Sequence, residues 1–261
     1  MSDFRLEKWY FDCVAFDGTV LIGYAARLRW GFVRLSYGAR ILSSNGSPTS
    51  QRQSLSFGQV GDEVRSLRWK NEKLNVSGEW TRGTPIPKTV VVDGPTGCVE
   101  WQCLGADCAV DLTVEGRTMT GIGYAERLTM TIPPWRLPFA QLRWGRYISD
   151  DRRDFMVWID LRGASSRTWV WVNSGEAVTG VVDEGGVRTD LAELSFRTSR
   201  TLLSDDVART LLGRLESFER FLPAGVRAIQ EDKQLSNCVL RIAGSESTGF
   251  SINEVVTWGR A

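Results

Sequence analysis

Asp107-Cys108-Ala109-Val110-Asp111-Leu112-Thr113-Val114-Glu115 alternates without a break: Val110, Leu112 and Val114 fall on one face, Asp111, Thr113 and Glu115 on the other. A period of two is the side-chain period of a β-strand, here with one face buried and one wet. Downstream, Phe155, Val157, Ile159 and Leu161 form one apolar face while Met156, Trp158 and Asp160 occupy the other, so both faces of that strand are expected to be covered. Short β-branched and aromatic runs separated by turn residues recur from Phe4 to about Arg200, the rhythm of antiparallel sheets rather than βαβ units. Phe16-Asp17-Gly18-Thr19 carries the Asp-Gly hairpin signal. The predicted class is all-β, with one helix at about 205–222. Ser204 would cap it, Asp205 and Asp206 would favour its dipole, and Val207, Leu211, Leu215, Phe218 and Leu222 would form its apolar stripe before Pro223 and Gly225.

Gly23-Tyr24-Ala25-Ala26-Arg27-Leu28 recurs as Gly123-Tyr124-Ala125-Glu126-Arg127-Leu128, each followed by a Trp-Gly pair at Trp30-Gly31 and Trp144-Gly145. A weaker echo closes the chain at Gly249-Phe250-Ser251, Glu254 and Trp258-Gly259-Arg260. This pattern reads as an internal duplication, and two domains are expected, 1–117 and 118–261. Flexible connections are expected at Ser43–Ser50 and around Thr84–Pro87, where turn-forming residues cluster.

Composition narrows the function. A chain of 261 residues that is 42% hydrophobic and 24% charged can bury a substantial core. Its 32 basic residues nearly cancel its 31 acidic ones, so no overall field would draw it to nucleic acid or an anionic membrane. The opening Met1-Ser2-Asp3-Phe4-Arg5 lacks the pattern of a signal peptide, and no stretch has the length of a membrane-spanning helix, which leads to an expected cytoplasmic location without stable membrane insertion. Cys98, Cys103 and Cys108 stand at intervals of five, unlike zinc or redox spacing, and the five cysteines are expected to be free, buried thiols. The chain has no histidine, which removes Ser-His-Asp and Cys-His nucleophiles, histidine zinc sites and histidine-ligated haem. It also has no phosphate-binding loop, dinucleotide turn or EF-hand, so no cofactor is expected.

Eleven tryptophans point to a largely apolar pocket, because each indole is large and carries an N–H that needs a partner. Trp169 and Trp171 share a strand face by their spacing, Trp101 lies with Val99 and Cys103, and Trp144 and Trp158 complete the candidate lining. Glu126 is the leading catalytic candidate, since a carboxyl group among aromatic neighbours can serve as a general acid. Period-two alternation puts Tyr124 on its face. If both point inward the phenol assists the carboxyl group; if both point outward, Glu126 is a solvated charge. Arg143 and Arg146 flank Trp144, and a buried arginine there would need Glu126, Glu100 or Asp160, as in an inter-domain salt bridge. Glu100 and Glu254 are the secondary acid candidates, with Arg146 counted among the substrate-binding residues.

Three stretches carry a family resemblance: the opening Trp9-Tyr10-Phe11, the block from Gly121 through Arg146, and the closing Gly249 to Trp258. On these the chain resembles the superfamily of carotenoid 1,2-hydratases (hydroxyneurosporene synthases), with tocopherol cyclases and lipocalin-like Diels–Alderases as more distant relatives. The resemblance implies two lipocalin-like, calycin-type β-barrel domains. It implies non-redox chemistry on a hydrophobic polyene, prenyl or polyketide-type molecule: hydration, cyclisation or pericyclic closure. It adds Trp9 and Tyr10 to the binding candidates. Tyr124 to Arg127 is similar to the Y-x-E-K stretch of tocopherol cyclases, which favours Glu126 as the acid. The chain departs from hydratase-like members at this junction, where they carry histidine. The rival expectation is a lipid- or pigment-binding protein without catalysis.

Overall fold

The computed structural model describes residues 4–44, 48–206 and 229–259. The chain divides into two compact units, Met1–Pro133 and Pro134–Ala261. The first consists of β1 (Phe4–Ala15), β2 (Val20–Trp30), β3 (Val33–Ser43), β4 (Ser50–Ser54), β5 (Gln59–Asp62), β6 (Ser66–Asn71), β7 (Val76–Thr81), β8 (Ile86–Gly94), β9 (Gly97–Val114) and β10 (Arg117–Met130). They form one sheet in the order β4-β3-β2-β1-β10-β9-β7-β6-β5, with β8 beside β9. The second consists of β11 (Phe139–Ser149), β12 (Phe155–Gly163), β13 (Arg167–Val172), β14 (Ala177–Val178), β15 (Val181–Val182), β16 (Gly186–Arg188), β17 (Ala192–Asp206), β18 (Ile229–Ile242) and β19 (Ser245–Trp258). Its order is β14-β13-β12-β11-β19-β18-β17-β16-β15. In each unit an antiparallel meander curls until its first strand pairs with its last, β1 with β10 and β11 with β19.

The turn chemistry behaves as the sequence dictates. Gly18 takes φ 81° between β1 and β2, and the Asp17 carboxylate accepts from the Thr19 amide at 2.9 Å. Val110, Leu112 and Val114 are buried while Asp111, Thr113 and Glu115 are exposed, and both faces of β12 are covered from Phe155 to Leu161.

Indoles fill each curl. In the first unit Trp9, Phe11 and Trp69 lie nearly parallel in sequence, with centroids 6.2 Å and 5.6 Å apart, and Trp80 closes on Phe11 at 4.8 Å. The indole N–H groups of Trp69 and Trp80 donate to the carbonyls of Phe57 and Asp12, so neither buried ring leaves its donor unmet. A buried aromatic removes roughly 150–250 Å² from water, or about 4–6 kcal/mol at 25 cal/mol per Å². Gly23 lies under Trp69, where a Cβ would come within 2.3 Å of the ring. In the second unit Gly145 lies under Trp158 in the same way, at 2.2 Å. Around that ring pack Tyr147, Met156, Val170, Leu194 and Leu240.

The two units share a topology, but the repeated hexapeptide does not mark it. Both hexapeptide copies lie in the first sheet, on β2 and β10, as the two neighbours of β1. The correspondence between units follows the weaker echo: Gly121 on β10 faces Ala15 and Gly249 on β19 faces Ser149. A Cβ at either glycine would come within 2.3 Å or 2.1 Å of the neighbouring strand's carbonyl oxygen, from Val14 or Ile148. Five residues later Glu126 faces Tyr10 and Glu254 faces Trp144. The sequence reading divides the chain at 117/118, whereas β10, held between β1 and β9, stays with the first compact unit. Ser204, Asp205 and Asp206, read as the start of a helix, continue β17 by pairing with Asp232, Glu231 and Gln230. The remainder of the expected helix, 207–222, lies outside the described residues.

Candidate active site

On the face of the first sheet opposite the indole core, β1, β10 and β9 bring together Tyr10, Asp12, Tyr124, Glu126, Trp101 and Cys103. Alternation sets the face, and the register places Glu126 between Tyr10 and Cys103. Between Gly123 and Glu126 the partner positions on β9 run from Cys108 to Cys103, so β9 carries two extra residues there. Such a bulge bends a strand and re-aims its side chains. Here it follows Trp101 and Cys103 along β9, both of which stand on the Glu126 side.

The Glu126 carboxyl group is buried, and its Oε2 accepts from the Tyr124 hydroxyl at 2.8 Å and from the Trp101 indole N–H at 2.5 Å. The Tyr10 hydroxyl donates to Asp12 Oδ2 at 3.0 Å, and Asp12 is wholly buried. The Tyr10 ring meets those of Tyr24 and Tyr124 edge-on at 5.5 and 6.1 Å. Burial, reinforced by Cys103 and Glu126, holds the Tyr124 phenol well above its ordinary range. Burial likewise holds the Cys103 thiol well up, with Cys108 and Glu126 adding to it. Tyr124 therefore keeps its proton and serves as a hydrogen-bond donor throughout the physiological range. The cluster thus combines a buried carboxyl group, two fixed neutral donors on one of its oxygens, and a wall of aromatic rings.

The corresponding face of the second sheet holds a different cluster. Lys233 on β18 is wholly buried, and its ammonium group pairs with both Glu231 and Glu254. Burial pulls its pKa down, but the two carboxylates outweigh that and leave it raised. Trp144 stands opposite Glu254, and Arg146, also buried, donates to the Phe250 carbonyl at 3.2 Å.

Solved structures share this architecture over nearly their whole length. A Nitrosomonas europaea protein named as a candidate AttH matches with a TM-score of 0.60 at 14% identity, covering 99% of this chain and 94% of that one. Kievitone hydratase from Nectria haematococca matches at 0.55 and 10% identity, covering 97% and 88%. CghA with Sch210972 matches at 0.56 and 12% identity, covering 98% and 89%. The fold is the two-unit lipocalin-like fold. No protein-family profile matches the chain, and no curated protein sequence matches it.

Within the lipocalin-like frame the sequence candidates separate. Glu126, Tyr124, Trp101 and Tyr10 come together. Trp9 belongs to the inner core, with the Arg127 guanidinium 5.6 Å above its ring, because its odd position on β1 points it away from Tyr10. Glu100 is a half-exposed partner of Lys88 at 2.9 Å, because alternation with Trp101 puts it on the face of β9 away from Glu126. Trp158 is core, tilted against Phe196 at 6.0 Å. Trp144, Trp169 and Trp171 are buried on the other face of the second sheet, Trp169 under the Arg167 guanidinium at 4.6 Å. Asp160 is taken by Arg162 and Thr168, and Arg143 by Gln141, with Glu184 at 4.0 Å, so neither joins the expected arginine pairing.

Sequence reasoning missed Asp12, Lys233 and Glu231. Their signal was present: Ile229, Glu231, Lys233 and Leu235 alternate with exposed polar residues, which assigns an ion pair to an apolar face.

Four of the five cysteines are buried and all are free; Cys98 is half-buried. Among the described residues no helix is long and apolar enough to cross a membrane, and no group of ligating side chains is arranged for a metal ion.

Proposed function

We propose that this chain is a non-redox enzyme of the hydratase or cyclase kind, acting on a hydrophobic polyene, prenyl or polyketide-type molecule. The observation that carries the reading is the buried Glu126 carboxyl group held by Tyr124 and Trp101. Buried titratable groups with neutral, preorganised partners are characteristic of proton-transfer sites. In this reading the Glu126 carboxyl group gives or takes the proton. Tyr124 holds Glu126 in position and remains neutral, and the Tyr10 ring beside it offers an apolar, electron-rich wall to an unsaturated chain or a developing cation. Kievitone hydratase, a protein of this fold, supports the reaction class through its name.

The test begins with protein from its own host, by native mass spectrometry with organic extraction, followed by incubation with precursors of whatever co-purifies and with prenyl, polyene and polyketide probes. Glu126→Gln still accepts both hydrogen bonds but cannot exchange a proton. Turnover is expected to fall by roughly 10²–10⁴-fold, with ligand binding kept. Turnover at the wild-type rate would refute the role of Glu126. Binding without turnover in either protein would make the chain a carrier.

A further inference from the structure

The β2–β3 hairpin ends in a tip of unusual character for a protein with almost no net charge. Trp30 faces Val33 across a two-residue connection, Gly31-Phe32, in which Gly31 takes φ 58° and a Cβ on it would meet nothing. A left-handed glycine in the first connecting position suits a tight hairpin turn. The tip stands in open solvent: Phe32 is 98% exposed, Val33 42% and Trp30 38%. A phenylalanine this exposed gains nothing from the fold.

The cross-strand register sorts the tip into two faces. Phe4, Trp30 and Val33 lie in one row, and Leu6, Leu28 and Leu35 in the next, all on the same side. On the other side Arg5, Arg29 and Arg34 stand directly across from one another on three adjacent strands, all exposed. From Arg27 to Ser36 there are three arginines and no acidic residue. An arginine row beside an apolar face and an aromatic tip matches a surface in which phosphates border hydrocarbon. Aromatic side chains settle at that boundary, and each basic group adds attraction to an anionic leaflet. A second copy of the chain would set the arginine row against itself.

We propose that this hairpin tip docks the protein onto an anionic phospholipid surface, with Phe32 and Trp30 entering the headgroup boundary and Arg5, Arg29 and Arg34 meeting lipid phosphates. Docking of this kind is peripheral, and the near-zero total charge conceals it because that charge is summed over the whole chain.

Co-sedimentation of the full chain with vesicles tests it without any substrate, so its outcome is independent of the reading of Glu126. Binding is expected to equimolar phosphatidylcholine and phosphatidylglycerol, weakening with added salt, and little binding to phosphatidylcholine alone. Each arginine removed is expected to weaken binding about fivefold, so Arg29→Gln with Arg34→Gln together weaken it roughly 25-fold. Phe32→Ser is expected to abolish sedimentation. All three positions are exposed, and unchanged thermal melting checks that the variants fold. No binding to the anionic vesicles, or binding that survives both variants, overturns the proposal.

Discussion

Replacing Lys233 by methionine tests the buried charge cluster of the second unit most directly. The Lys233 side chain is fully buried, and those of Glu231 and Glu254 are 8% and 12% exposed. At 4 Å and an effective dielectric of 20, one such attraction amounts to about 4 kcal/mol, while each buried ion costs several kcal/mol to desolvate. The intact triad therefore adds little net stability. Lys233→Met leaves the desolvation of two carboxylates in place, removes their common partner and sets them against each other. The expected cost is about 3–5 kcal/mol, out of a total that for ordinary domains is roughly 5–15.

Urea unfolding followed by circular dichroism reads this, fitted with separate transitions for the two compact units. Adding Glu231→Gln and Glu254→Gln to the variant removes both carboxylate charges and is expected to recover most of the loss. A single-variant cost under about 1 kcal/mol, or a triple variant no better than the single, would refute the reasoning. The pH dependence has a definite sign. The folded pKa of Lys233 lies above the ordinary 10.5, so the folded state binds this proton more tightly. Its contribution is complete below pH 10.5 and is lost as pH rises through the folded value.

Two further perturbations concern packing and alkaline stability. Burial pushes the Cys238 thiol from 9.0 to about 12, equivalent to roughly 4 kcal/mol. Stability is accordingly intact below pH 9 and lost as pH climbs from 9 to 12; thermal melts across that range are expected to fall steeply for the wild type and less so for Cys238→Ala. Gly23→Ala sets a methyl group 2.3 Å from the Trp69 ring, whose indole is tied to the Phe57 carbonyl. It is expected to cost about 1–3 kcal/mol by overpacking and to alter the near-ultraviolet circular dichroism; an unchanged spectrum and midpoint would show that the ring moves freely.

The class of the fold was legible because alternation is a local property. Val110, Leu112 and Val114 declare a buried strand face whatever they pack against, and Asp17-Gly18 declares a turn. The division of the chain was harder, since the pairing of β1 with β10 spans more than a hundred residues and leaves no local mark. The repeated hexapeptide misled because β2 and β10 both flank β1 and present the same Gly-Tyr-Ala pattern to it. Likewise, alternation placed Tyr124 beside Glu126 but could not choose the side on which they lie. The tryptophans suffered most from that ambiguity: Trp9 and Trp101 are equally apolar in sequence, and only the curl of the sheet sends one into the core and the other to Glu126.

The shared topology of the two units also bears on the proposal that Glu126 does chemistry. Glu126 and Glu254 occupy matching places, each five residues beyond a glycine pressed against the neighbouring strand, and each beside an aromatic residue of the first strand of its unit. What differs is the residue opposite on the other neighbour: Cys103 for Glu126 and Lys233 for Glu254. An ammonium group binds a carboxylate as an ion, and sharing Lys233 with Glu231 commits Glu254 to a fixed charge. Tyr124 and Trp101 are neutral donors to Oε2 of Glu126, and they hold the ionised carboxylate more strongly than the protonated acid. A neutral donor keeps its own charge state when its acceptor takes up a proton, whereas an ammonium shared by two carboxylates loses one of its two ion pairs. On the reading we propose for Glu126, the same backbone position carries a proton-transfer group in the first unit and an ion-pair partner in the second.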